Sequence, residues 1–452
     1  MRQRLLTSPL GLPVTASDAF QTLYASAENA FWLDSSSEAP GTRSYLGSST
    51  RTLVSRSTDR SVFDALRAGV AAHPVAPAGD RFALGWVGWL GYELRGGTMA
   101  APVPHPPTQP TAAFLWADRA IEVDHSTGEV TLLALGDDWD RELRVWRDEV
   151  MEALRHPIPS EKSSRAAQPA ASATISTATW RYSDERYLAM IEDCQRAIRA
   201  GDAYQLCLTS EAFVETDADP VAVYFALRHA SPVAHGGFIR AGEVALLSAS
   251  PEQFLAVSTD GVVQSKPIKG TRARGATAEA DNRQKAELLA SDKERAENLM
   301  IVDLMRNDIG RVSEVGSVSV PSLLEVESYA QVHQLVSTVR GRLAPGLDGI
   351  DAVMSCFPAG SMTGAPKLSA TRILDGLEAR PRGIYSGAFG YVGLDGRVDL
   401  AMVIRSIVMD GHSATVGAGG GITALSVPEE ELAEVKLKAA ALLAVLGAAS
   451  SR

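Results

Sequence analysis

The chain has 452 residues, 45% hydrophobic and 21% charged, the composition of a globular protein with ample material for a large core. Its 43 basic and 54 acidic residues give a formal charge of −11, and no basic cluster exceeds Arg-x-Arg. That excludes an ordinary nucleic-acid-binding face and obliges any small-anion site to supply its own positive charge.

Three cysteines (Cys194, Cys207, Cys356) form no C-x-x-C pair. The first residues do not read as a secretory leader, and no apolar run nears the ~20 residues of a membrane span. The expectation is a cytoplasmic protein with no membrane or nucleic-acid partner.

In chain order, strand-like runs fall at 82–94, 113–123 and 130–134, with Ser126-Thr127-Gly128 as a hairpin turn. A helix over 139–154 places Leu143, Trp146, Val150 and Leu154 on one face. Residues 156–179 are rich in Ala, Ser, Thr and Pro and read as a linker. They separate an N-terminal region (1–155) from a denser region over 180–452. There Ser183 caps a helix that ends at Gly201, and Asp219-Pro220 opens another. Paired strands turn at Gly242 and at Asp260-Gly261, and one long helical stretch covers 277–306. Strands at 388–392, 398–408 and 414–416 lead to a glycine run at 417–421, which reads as a flexible turn. A last helix covers 428–446. Strands and helices do not alternate regularly, so the fold class is mixed α/β (α+β) with mostly antiparallel sheets flanked by helices.

Most catalytic signatures are missing: no G-x-S-x-G elbow, H-E-x-x-H pair, phosphate loop or dinucleotide fingerprint occurs. Two stretches repeat a pair of carboxylates at helical i, i+3 spacing. Glu294 and Glu297 precede the apolar run LMIVDLM, and Glu431 and Glu434, with Lys438 a turn later, lead into LKAAALLAVL. Such pairs are usually solvated faces. Entering a core, however, they need a cation, and a hard divalent ion such as Mg²⁺ suits carboxylate oxygens. A third element, PIKGTRARG, aims Lys269 off a strand at a tight turn.

These stretches resemble the chorismate-utilising enzymes. SPEQF (250–254), PIKGTRARG (267–275), AENLMIVDLMRNDIG (296–310), GSMTGAPK (360–367), IYSGAFGYVG (384–393), AMVIRS (401–406), the glycine run and EEELAEVKLKA follow in the family's order. FWLDS (31–35) and GWVGWLGYEL (85–94) look like the family's synthase subunits.

The resemblance implies an anthranilate synthase component I-like fold and chorismate as substrate. It implies Mg²⁺ held directly by Glu297 and Glu434, and through water by Glu294 and Glu431. It further implies Arg405 as clamp for the enolpyruvyl carboxylate, with Lys438, Tyr385, Ala418 and Gly419 nearby, and Thr363 and His333 in the ring pocket. Lys269 in PIKGT, where anthranilate synthases carry Ala, resembles the aminodeoxychorismate synthase subfamily. There the lysine is a nucleophile, assisted by Glu252 as general acid, with Thr271 in the same motif and His333 counted among the catalytic residues. That chemistry requires a neutral amine, and therefore a lowered lysine pKa, by desolvation or by cations such as Arg272.

No second catalytic set for glutamine hydrolysis is recognisable, so ammonia is expected from a separate glutamine amidotransferase subunit. Asp34, Ser35 and Tyr45 are candidates for a tryptophan pocket. The alternatives are amination at ring carbon 2, as in anthranilate synthase or an aminodeoxyisochorismate synthase, a water-using isochorismate or salicylate synthase, and a non-catalytic chorismate- or tryptophan-binding subunit.

Overall fold

The computed structural model describes residues 3–35, 42–160, 176–329 and 332–450. The described strands form two sheets, one of 13 strands and one of 10. All pairings are antiparallel except the parallel one between Ala448–Ser450 and Ser176–Trp180. The expected α+β architecture of antiparallel sheets with flanking helices is therefore observed.

Both sheets draw strands from both ends of the chain. Asn29–Asp34 pairs with His235–Ala241 in the larger sheet, and Gly85–Leu90 pairs with Ala388–Gly393 in the smaller. The strand period of two sends neighbours to opposite cores. Phe31 joins the cluster containing Trp89 and Phe389, while Trp32 packs edge-on against Tyr224 and Phe225 of helix Pro220–Ala230. Most of the expected linker, residues 161–175, lies outside the described residues, and 176–179 belong to strand Ser176–Trp180.

Three local expectations need correction. The runs 113–123 and 398–408 are each two strands that cross between sheets. Ala112–Ala117 and Val398–Met402 lie in the smaller sheet, while Arg119–Asp124 and Ser406–Asp410 lie in the larger. An unbroken apolar run carries no mark of such a crossing. The stretch 277–306 is two helices, Ala278–Ala290 and Asp292–Gly310, parted at Ser291, whose hydroxyl caps the second by accepting from the Glu294 amide. The glycine run is no turn: it is the end of strand Ser413–Ile422, paired along its length with Gln205–Glu215.

The helix expectations at Ser183 and Asp219-Pro220 hold, each side chain accepting from a first-turn amide. Helix Arg141–Arg155 and the terminal helix Pro428–Val445 lie where the apolar spacing puts them. The terminal helix packs Val435 and Ala439 into the core against strand Ser413–Ile422, with Val435 touching Gly420.

Candidate active site

Two adjacent sheet crossings build the site. Strand Val244–Ser250 in the larger sheet runs through Pro251-Glu252 into Gln253–Val257 in the smaller. Beside it, Val398–Met402 returns through 403–405 to Ser406–Asp410, the two pairs staying in register across the gap. The Met402 amide donates to the Glu252 carbonyl and the Ala249 amide to the Arg405 carbonyl. Arg405 has φ +52°, a left-handed conformation few non-glycine residues adopt, and this turns its side chain at the crossing. Glu252 and Arg405 thereby meet in a cavity of about 450 Å³.

Lys269 enters from an edge strand. Ile268–Ala273 is interrupted by a register shift between Ile268 and Thr271, and Gly270 takes φ +84°. A bulge of this kind re-aims the side chain before it, and a Cβ at Gly270 would press on Glu294 and Leu288. Helix Asp292–Gly310 brings Glu294 and Glu297, the terminal helix brings Glu431, Glu434 and Lys438, and the glycine strand brings Gly417, Gly419 and Gly421.

Five basic and five acidic side chains line this one cavity: Lys269, Arg272, Lys293, Arg405 and Lys438 against Glu252, Glu294, Glu297, Glu431 and Glu434. Four pair off, Lys269 with Glu297 at 3.8 Å, Arg272 with Glu294 at 3.4 Å, Lys293 with Glu431 at 3.2 Å and Lys438 with Glu434 at 2.7 Å. Among the described residues Arg405 is the lining cation with no carboxylate within 4.0 Å; its one hydrogen bond goes to the Lys438 carbonyl at 3.3 Å. Burial lowers its pKa.

Burial also pushes the Glu252 carboxyl up to about 7, although Lys269, the Ser361 hydroxyl and the Ile268 amide pull the other way. For Lys269, burial favours the neutral amine, but Glu297, Cys207, Glu252 and Glu434 outweigh it and hold the pKa above its ordinary value. The expected lowering is therefore not what this arrangement produces: Arg272 is turned to Glu294, and the lysine faces anions. Burial raises Glu297, whereas Lys438 overcomes burial and lowers Glu434.

The four glutamates are hard oxygen donors collected around one cavity, the donor chemistry that suits Mg²⁺. Among the described residues no cluster of three or more His, Cys, Asp or Glu is drawn tightly enough to enclose an ion. Basic side chains hold the carboxylates instead.

Thr271, Tyr385, Ala418, Gly419 and Lys438 line the cavity, Lys438 also donating to the Gly419 carbonyl at 2.9 Å. Two expected lining residues do not. His333 is fully buried on the far side of its strand, with Nδ1 2.8 Å from the Ser328 hydroxyl and Nε2 2.9 Å from Asp281. Its neighbour Gln334 faces the cavity, as the strand alternation requires. Asp281 in turn grips Arg274 through both oxygens, so His333 braces the segment that follows Lys269. Thr363 is spent on the Ala359 and Gly360 carbonyls, and Ser361 and Met362 take the place expected for it.

Sequence reasoning passed over Cys207, Lys293 and Gln334, which line the cavity. It also passed over Gln205, whose buried amide has no partner for either atom among the described residues and lies against Gly421. Gln205 and Cys207 alternate on the strand facing the glycine run, a signal visible only once that run is read as a strand. Asp34, Ser35 and Tyr45 do come together, in a separate cavity of about 330 Å³. There Asp34 pairs with Arg228 and accepts from the Ser44 hydroxyl at 2.8 Å.

The family model described as chorismate binding enzyme matches residues 22–444. The chain belongs to that family. It is 41% identical, over 99% and 95% of its length, to the aminodeoxychorismate synthases of Streptomyces griseus and Streptomyces pristinaespiralis. It spans 65% and 63% of those relatives, just under two thirds of their length. It is 38% identical over 95% of its length to anthranilate synthase component 1 of Streptomyces coelicolor, of which it covers 86%. Among solved structures it resembles anthranilate synthase component I of Streptococcus pneumoniae, with TM-score 0.76 and 30% identity over 90% of this chain and 93% of that one. The menaquinone-specific isochorismate synthase of Escherichia coli shares the fold at 19% identity, with TM-score 0.75 over 98% of this chain and 94% of that one. No helix among the described residues is long and apolar enough to cross a membrane.

Proposed function

We propose that the chain aminates chorismate at ring carbon 4, as an aminodeoxychorismate synthase component I, through a covalent adduct with Lys269. The observation that carries this reading is that Lys269 and Glu252 face one cavity with Arg405, a cation with no acidic partner among the described residues. The similarity to two aminodeoxychorismate synthases supports it.

Chorismate is a dianion. Arg405 binds the enolpyruvyl carboxylate, with Tyr385, Lys438 and the Ala418 and Gly419 backbone around it. The four glutamates are the residues that would hold Mg²⁺, Glu297 and Glu434 directly and Glu294 and Glu431 through water. When bound, the ion supplies positive charge for the ring carboxylate.

Glu252, protonated up to about pH 7, delivers a proton to the departing 4-hydroxyl. Lys269 must first give up its Glu297 partner and a proton; its nitrogen then bonds to ring carbon 2 as the hydroxyl leaves. Ammonia bonds to carbon 4 and expels the lysine, so one hard displacement becomes two easier ones. Thr271 borders the lysine, and His333 acts at one remove, through Asp281 and Arg274.

A separate glutamine amidotransferase subunit would supply ammonia, and a separate lyase would complete 4-aminobenzoate. The cavity at Asp34, Ser35 and Tyr45 is the candidate tryptophan site. The test is the product formed from chorismate, Mg²⁺ and ammonium. Appearance of 4-aminobenzoate only after an aminodeoxychorismate lyase is added, and its loss in Lys269→Ala, supports the reading. Anthranilate and pyruvate formed without the lyase overturn it in favour of amination at carbon 2.

A further inference from the structure

Gln334 is the one side-chain amide among the described residues that line the candidate active-site cavity. It is 7% exposed, and among the described residues its side chain makes no hydrogen bond to the rest of the chain. A buried amide without a partner forfeits the hydrogen bonds it would make in water, so the position is costly unless a ligand completes it. Two sets of contacts hold it in place. Its strand, Val332–Arg342, is flanked on both sides, with Gln334 opposite Thr271 on one neighbour and Glu327 on the other. The residues that follow are tied to the helix carrying Glu294 and Glu297. The Asn298 side-chain amide donates to the Leu335 carbonyl at 3.3 Å, and its oxygen accepts from the Ser337 hydroxyl at 2.6 Å. Gln334 is therefore fixed relative to both the lysine strand and the glutamates.

The groups around it narrow what it would bind. Four ion pairs engage most of the charged side chains, and Arg405 is left for a carboxylate. Among the polar groups of chorismate only the hydroxyl at ring carbon 4 both donates and accepts, because the carboxylates and the ether oxygen accept alone. A glutamine amide offers the matching set, an acceptor oxygen beside N–H donors. Its neutrality matters as well. An acid at this position would add an anion around Lys269, which already faces Glu297 at 3.8 Å. A base there would compete for the Glu252 proton.

We infer that Gln334 recognises the 4-hydroxyl of chorismate, its Oε1 accepting the hydroxyl hydrogen and so turning a lone pair of that oxygen toward Glu252. This deepens the proposed amination and rests on it. With the hydrogen held by Gln334, Glu252 gives its proton to the same oxygen. The Lys269 nitrogen pair bonds to ring carbon 2, the two ring double bonds shift by one place, and the carbon–oxygen pair leaves carbon 4 with water. The surplus proton on the adduct nitrogen returns to Glu252. Ammonia then takes the place of the water, donating an N–H to Oε1 with its lone pair toward carbon 4. The double bonds shift back as the bond to Lys269 breaks. Glu252 protonates the departing amine, and the aminated product returns one proton to Glu252. Gln334 gains and loses none.

The test is a binding cycle in the Lys269→Ala chain, where no adduct forms. Titration calorimetry with Mg²⁺ and no ammonium compares chorismate with an analogue carrying hydrogen in place of the 4-hydroxyl, before and after Gln334→Leu. The expected result is about a tenfold preference for chorismate that disappears in the variant, with affinity for the analogue unchanged. Equal affinity for the two ligands before the substitution, or a preference that survives it, overturns the assignment. Loss of affinity for both ligands alike overturns it too, because that is what a merely structural role produces. Should Gln334→Leu fail to fold, Gln334→Met, unbranched and of similar length, completes the same cycle. Neither titration involves nitrogen transfer, so failure of the amination reads out separately, as a nitrogen-free product from the parent enzyme with the binding preference intact.

Discussion

Two charge-rich regions lie within a few residues of each other and are built on opposite principles. Around the candidate active-site cavity, four ion pairs span 2.7 to 3.8 Å, each with at least one partly exposed side chain. Behind its wall, Arg382 is buried and bonded from all three guanidinium nitrogens. Its guanidinium donates to both Glu378 oxygens at 2.7 and 2.9 Å, to the Cys207 carbonyl at 2.8 Å and to the Met362 carbonyl. Its backbone amide donates to Glu93 at 2.7 Å. Glu378 also takes the Thr209 amide and hydroxyl. A buried charge is tolerated when every donor has a partner, and such a knot holds a shape. The loose pairs of the cavity can be exchanged for a metal or a substrate carboxylate, which is what a binding site requires.

Substitutions should separate the two regions. Lys269→Ala is expected to lower turnover by about a thousandfold or more while leaving the unfolding transition in place, as loss of a nucleophile does. A variant retaining most of its turnover would remove the covalent step. Arg382→Met leaves the Glu378 carboxylate buried and unpaired and should cost about 3–5 kcal/mol in denaturant unfolding. A cost near zero would mean that the knot is dispensable.

Arg405→Ala should weaken chorismate binding by about 2–5 kcal/mol in titration calorimetry with little change in stability, since it makes no ion pair among the described residues. Glu252→Gln tests the pH limb. The acid works while protonated, so kcat/KM should fall as pH rises through about 7, and this limb should disappear in the variant along with most of the activity. Smallest of all, Lys293→Ala removes a half-exposed lysine from the buried Glu431 carboxylate, which keeps the Ser426 hydroxyl, and should lower stability by about 1–3 kcal/mol in denaturant unfolding.

Much of this molecule is legible in its sequence. The helix caps at Ser183 and Asp219 follow from local hydrogen bonding, and the glutamate pairs at i, i+3 from helical spacing. The order of short motifs is enough to indicate the family. Other features depend on partners distant in the chain. His333 reads as a pocket residue until the register of its strand points it at Asp281. Thr363 reads as a ligand contact until its hydroxyl is found bonded to the turn before it. The glycine run reads as a turn because glycine has low strand propensity, and only pairing with Gln205–Glu215 makes it a strand.

By itself, then, the sequence determined the helix caps and the two glutamate pairs that come to line one cavity, because residue type, capping and helical period act over a few neighbours. Tertiary structure alone decided that Glu252 and Arg405 meet at two adjacent sheet crossings, that a bulge turns Lys269 among carboxylates, and that Gln334 rather than His333 faces the cavity. Those facts depend on sheet register, and register is set by the packing of whole faces rather than by any local stretch.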